Sequence, residues 1–94
     1  MFAYDAALAL AHAFKDYHAI HGHRPGYFTE EFIALCKDYA TDRRYRPMAL
    51  AGCGNGHHDT MVIEYGHKIL EAYYDNDGNV TVRDCYNNNV LISL

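Results

Sequence analysis

The stretch TMVIEYGHKILEAYYDNDGNVTVRD, residues 60–84, decides the fold. Its apolar residues recur at every second position, the repeat of a half-buried strand, and two turn signals cut it into three runs. Gly66-His67 separates 60–65 from 68–74, and glycine at the first loop position suits a two-residue type II′ hairpin. That register sets Tyr65 opposite Lys68, Ile63 opposite Leu70 and Met61 opposite Ala72, which collects apolar side chains on one face. The second signal, Asp75-Asn76-Asp77-Gly78-Asn79, suits a three-residue loop closing a bulged hairpin with Gly78 left-handed. Tyr74 then opposes Val80 and Ala72 opposes Val82, while Glu71 meets Arg83 and Tyr73 meets Thr81 on the other face. A two-residue Asp77-Gly78 loop would mix Val80 and Val82 with Tyr73 and Asp75, so the longer loop is the expected one.

Downstream, Asn87-Asn88-Asn89 reads as a further turn and residues 90–94 as an edge strand. Upstream the period changes to that of a helix. From Ala3 to Ile20 the residues Ala7, Leu10, Ala11, Phe14 and Tyr17 share a stripe, with His12, Lys15, Asp16 and Ala19 opposite. The run His21-Gly22-His23-Arg24-Pro25-Gly26 stops that helix. Thr29 then reads as an N-cap, Glu30 and Glu31 complement the first turn, and Phe28 staples onto Ile33. Phe32, Leu35, Cys36 and Tyr39 continue one face through Thr41. Arg46-Pro47 favours extended backbone, residues 48–51 allow a short strand, and the glycines at 52–56 require a loop. The expected fold is α+β: two N-terminal helices packed on one face of a three- to four-stranded antiparallel β-meander. One domain is expected over 1–94, with a helical half at 1–44, a loop at 45–59 and the sheet at 60–94.

Composition narrows the function classes. The chain has 94 residues, is half hydrophobic and 14% aromatic, and sets 8 Lys and Arg against 12 Asp and Glu. That is too apolar for a disordered tail. Acidity argues against direct nucleic-acid binding, whose affinity comes mostly from cations on phosphate. The small size leaves little room for a large enclosed active site. No apolar run reaches the roughly 18 residues of a bilayer span, and the N-terminus lacks the cationic lead of a secretory signal, so a soluble, cytoplasmic chain is expected. Cys36, Cys53 and Cys85 form no CxxC pair, and reduced thiols are expected, with one bridge still allowed by the spacing.

Several residue groups carry possible chemistry. His21, His23, Cys53, His57 and His58 fall in two loops, and imidazoles with a thiolate are zinc ligands, so a small zinc module is one alternative. Cys53 as nucleophile, His67 as base and Asn87 as orienting group would make a thiol hydrolase, a second alternative. Asp75, Asp77 and Asn79 resemble the start of a calcium loop, but Val80 and Tyr86 occupy the positions that need glycine and glutamate. Gly52, Gly54 and Gly56 lack the Lys-Ser/Thr of a phosphate-binding loop. No cofactor and no enzymatic activity are expected.

The preferred expectation is a protein-binding surface. The face that carries Tyr73 also carries Glu64, Glu71, Ile69 and Val62, and tyrosine buries much area while its hydroxyl keeps a partner. Residues 1–58 are charge-balanced, so the net charge of -4 lies wholly in residues 59–94, where Lys68 and Arg83 stand against Asp59, Glu64, Glu71, Asp75, Asp77 and Asp84. A partner with a basic, nucleic-acid-binding surface is therefore expected at Glu64, Glu71, Tyr73, Asp75 and Asp77, with Arg43, Arg44, Tyr45 and Arg46 left for a second contact. The 90–94 edge offers a homodimer joint. Small size, acidity and tyrosine content are similar in general character to phage-encoded inhibitors of host defence, including anti-CRISPR proteins. The similarity is one of type, and no motif transfers a site.

Overall fold

A computed structural model describes residues 3–23, 30–39, 45–47, 53 and 60–94. The described residues form α1 (Ala3–His21), α2 (Glu30–Tyr39), β1 (Tyr45–Pro47), β2 (Met61–Tyr65), β3 (Lys68–Tyr74), β4 (Val80–Asp84) and β5 (Val90–Ser93). The strands make one antiparallel sheet in the order β1-β2-β3-β4-β5. The expected cap and staple at Thr29 and Phe28, the strand at 48–51 and the basic residues Arg43 and Arg44 lie outside the described residues.

Both central hairpins take the register that their turns dictate. Met61 faces Ala72, Ile63 faces Leu70 and Tyr65 faces Lys68 across the first; Ala72 faces Val82 and Tyr74 faces Val80 across the second. Gly66 has φ 58° and Gly78 φ 81°, values that an L side chain resists and glycine adopts freely. In the second turn Gly78 N–H donates to Asp75 C=O at 3.0 Å and Asp75 N–H to Asn79 C=O at 3.0 Å, which leaves a three-residue loop. The sheet is larger than expected. Residues 45–47, read as loop, form a fifth strand, because Tyr45, Arg46 and Pro47 align with Tyr65, Glu64 and Ile63. Pro47 sits there without loss because an edge strand has one side that needs no N–H.

α1 ends where expected: Gly22, at φ 75°, donates its N–H to His18 C=O at 2.9 Å and closes the last turn. Its buried face is wider than the expected stripe. Ala6, Ala9 and Ala13 are buried along with Ala7, Leu10, Ala11, Phe14 and Tyr17, an arc of about 200° at ~100° per residue. α1 therefore lies between layers, touching β2 to β5 on one side and α2 on the other, while α2 reaches the sheet at β1. Alanine serves this position because it forms helix readily and lets both layers approach closely. Phe14, Leu10, Phe32, Met61, Ile63 and Leu70 fill the core between them. A hydrogen bond of 2.6 Å between His18 Nδ1 and the Tyr74 hydroxyl ties the helix to β3.

The cysteines correct the sequence reading. Cys53 and Cys85 are joined in a disulfide across a sequence separation of 32, so two of the three thiols expected to be reduced are oxidised. Cys36 alone is free, and it is buried.

Phe14 is fully buried and its ring centroid lies 5.2 Å from that of Tyr74. Phe14→Ala removes a large core side chain at the junction of α1 and the sheet, and is expected to lower unfolding free energy by about 3–5 kcal/mol. Urea unfolding checks this, and a loss below about 1 kcal/mol would mean that α1 is not docked there.

Candidate functional site

Alternation along the strands divides the sheet into a face toward α1 and a face away from it. The second face carries Val62 and Glu64 on β2, Ile69, Glu71 and Tyr73 on β3, Thr81 and Arg83 on β4 and Ser93 on β5. Backbone register also sets Arg46 of β1 opposite Glu64, bringing two of the expected partner-binding residues together.

This face is less open than the sequence implied. Glu71 is 1% exposed, Val62 1% and Thr81 3%, while Glu64, Ile69, Tyr73 and Arg83 are half-buried. Glu71 is held rather than offered. Its Oε1 accepts from Arg83 Nε at 2.6 Å and lies 2.6 Å from a terminal guanidinium nitrogen, and its Oε2 accepts from the Thr60 hydroxyl at 2.9 Å. The Arg83 guanidinium carbon sits 5.1 Å from the Tyr73 ring centroid, a cation–π contact that fixes one face of the tyrosine. Thr60 was legible as a partner only from parity, since 60, 62 and 64 share the face of Glu71.

A second ion pair stands at the adjacent register position, on the face toward α1. Lys68 Nζ lies 3.1 Å from Asp84 Oδ2, and Asp84 Oδ1 accepts the Tyr86 N–H at 2.8 Å. Asp84 is 2% exposed, and among the described residues every buried side-chain nitrogen and oxygen has a hydrogen-bond partner. The two cations of the strand half are thus spent on Glu71 and Asp84. Of its acids there remain Glu64, Asp75 and Asp77, together with Asp59, which lies outside the described residues.

Asp75 and Asp77 stand on the β3–β4 turn. Asp75 Oδ1 accepts the N–H groups of Asp77 and Asn79, each at 2.9 Å, and its Oδ2 lies 3.4 Å from the Thr81 hydroxyl. These bonds organise the turn from within and use the oxygens that a calcium loop would present. Asp77 is exposed. The tip is a rigid acidic corner, flanked by Tyr73.

The alternative chemistries both rest on Cys53. Its Sγ is bonded to Cys85, and while that bridge is intact Cys53 is neither a zinc ligand nor a thiol nucleophile. His21 packs tilted and His23 edge-on against Tyr17, their ring centroids 4.2 and 5.7 Å from its own and 5.9 Å from each other, and His57 and His58 lie outside the described residues. Among the described residues no group of three His, Cys, Asp or Glu could hold a metal ion. His67 and Asn87 are exposed on separate turns, and Asn87 Oδ1 accepts the Asn89 N–H at 3.0 Å. Burial pushes the Cys36 thiol up to about 12, far from a reactive thiolate. A cleft of 180 Å³ beside Lys15, Tyr74, Asn79 and Leu94 is below the ~300 Å³ at which ligand pockets begin. No helix among the described residues is long and apolar enough to cross a membrane.

No protein-family model, curated protein or solved structure matches the chain.

The cysteine assignments make a direct prediction. Without reductant the folded chain takes up no iodoacetamide; after mild reduction Cys53 and Cys85 label, and Cys36 labels only on unfolding. Mass spectrometry of the alkylated peptides checks this. Labelling of Cys53 before reduction would contradict the bridge, and labelling of Cys36 in the folded chain would contradict its burial.

Proposed function

We propose that the chain is a non-enzymatic protein-binding domain that acts by occupying a basic surface of its partner. One observation carries the reading: the internal ion pairs neutralise Glu71 and Asp84, so among the described residues the surplus negative charge of the strand half falls on Asp75 and Asp77, at the β3–β4 turn beside the half-buried Tyr73, and on Glu64 at the β2–β3 end of the same face. An acidic corner held by its own hydrogen bonds loses little freedom on binding, which favours affinity. Charge of one sign at the rim steers association and selects a partner of the other sign. Glu71 supports this surface from beneath. Arg46, opposite Glu64 in the register, adds a basic contact at the β1 edge, with Arg43, Arg44 and Tyr45 beside it in sequence.

The partner surface that fits is a nucleic-acid-binding one, rich in Lys and Arg, and the mode is that of phage-encoded inhibitors of host defence, of the anti-CRISPR type. Such an inhibitor works in the host cytoplasm, where the glutathione pool opposes disulfides. The acidic turn is closed by hydrogen bonds local to 75–81, so binding is expected to survive reduction of Cys53–Cys85.

Affinity capture from the native host, run with the wild-type chain and with a Glu64→Gln/Asp77→Asn variant, tests the reading. The expected result is a basic protein held at ~50 mM salt, released near 0.5 M where charges are screened beyond about 4 Å, and held less tightly by the variant. Each rim charge contributes about 0.2–1 kcal/mol, so losing the pair should weaken binding by about twofold to thirtyfold. A partner bound equally at both salt concentrations and by both proteins would overturn the charge mechanism.

A further inference from the structure

The two edges of the sheet are built differently. β1 carries Pro47, which offers no N–H, and Arg46, two features that discourage another strand from adding to an edge. β5 carries neither. Among the described residues it has one strand neighbour, β4. From Tyr86 to Leu94 the sequence holds no charged side chain and no proline. Tyr86 is 67% exposed, Val90 58% and Leu94 38%. Leu94 N–H donates to Val80 C=O at 2.8 Å, and Ser93 lies opposite Thr81. Bonded residues alternate along an antiparallel strand, so Ser93 turns its own N–H and C=O to the open side.

We propose that β5 pairs antiparallel with β5 of a second copy about a two-fold axis, joining two sheets into one. Charge selects the occupant. The surplus acids lie at 59–84, and the 86–94 edge is neutral, so a basic partner finds nothing to complement there. Two identical acidic chains, in contrast, meet at this edge without opposing like charges. Direction follows from the same constraint. The Ser93 end of β5 lies beside Thr81, next to the acidic β3–β4 turn, and the Val90 end beside Arg83. Antiparallel pairing sets the Ser93 end of one copy against the Val90 end of the other and keeps the two acidic turns at opposite ends of the joint. A two-fold joint is self-complementary, each strand giving donors and acceptors to the other. This joint does not depend on the partner-binding reading.

Sedimentation equilibrium of the full chain from roughly 10 to 200 µM tests it, since the dimer fraction rises with concentration. The expected mass approaches twice the 10.7 kDa of one chain. Val90→Lys places a charge on each side of the joint, and Ser93→Pro removes the outward N–H; both are expected to stay monomeric with unchanged far-UV circular dichroism. A wild-type chain at 10.7 kDa throughout, or a dimer that survives both substitutions, would overturn the joint. If the variants fail to fold, hydrogen exchange in the wild type decides. Slowing of the Ser93 amide by about tenfold or more in the concentrated sample supports the joint, and equal rates overturn it. Raised salt should leave the dimer intact, which separates its failure from failure of the charge-driven binding.

Discussion

Glu71 stands on the face of β3 turned away from α1, yet it is taken out of water, with both carboxylate oxygens held by Arg83 and Thr60. Burying a carboxylate costs several kcal/mol, and the cost is offset only where a cation lies close and the remaining lone pairs are satisfied. Both conditions are met, and they are met across strands. Arg83 is the register partner of Glu71, so a slip of one residue between β3 and β4 would send Glu71 into the apolar face and leave Arg83 without it. The ion pair thus opposes misregistration at the centre of the sheet, where α1 packs on the reverse side. It also decides the surface. By absorbing one of the two cations in the strand half, it leaves the surplus charge among the described residues to Glu64, Asp75 and Asp77.

A covalent constraint acts on the same region. The Cys53–Cys85 bridge closes a long loop, and by chain entropy such a loop is stabilising by about 3–4 kcal/mol. Cys85 also donates its N–H to Ile69 C=O at 2.8 Å, and Asp84 beside it is fixed by Lys68 and Tyr86. The end of β4 is therefore tied to β3 by backbone and side chain, independently of the bridge. That redundancy is why the acidic turn at the opposite end of the β3–β4 hairpin can keep its shape when the disulfide opens.

The hairpins were legible in the sequence because turn chemistry and alternation agree: Gly66 and Gly78 name their turns, and only one register for each keeps Met61, Ile63, Leu70, Ala72, Val80 and Val82 together. Three features were hidden, each for a physical reason. A helix that packs on both sides shows alanine where one-sided packing would show charge, so Ala6, Ala9 and Ala13 did not read as core. β1 is three residues long and contains proline, below the length at which alternation speaks. The disulfide depends on where a loop 32 residues away returns to the sheet, and spacing alone does not set that. Parity placed Glu71 correctly on its face but equated that face with exposure. Which residues of that face reach water came only from burial: Glu71 is enclosed, Glu64 and Tyr73 are half-buried and Asp77 is exposed.

The claim on which the rest depends is that the buried Glu71 and the half-buried Arg83 act as one unit. A double-mutant cycle of Glu71→Gln, Arg83→Met and the pair, followed by urea unfolding, measures it most directly. Arg83→Met leaves the buried Glu71 carboxylate without its cation and is expected to cost about 3 kcal/mol or more, while Glu71→Gln leaves an Arg83 that still reaches water and is expected to cost less. The double variant should cost well under the sum, giving a coupling of about 2 kcal/mol or more, as for close charge pairs elsewhere. Additivity within about 0.5 kcal/mol would contradict the account.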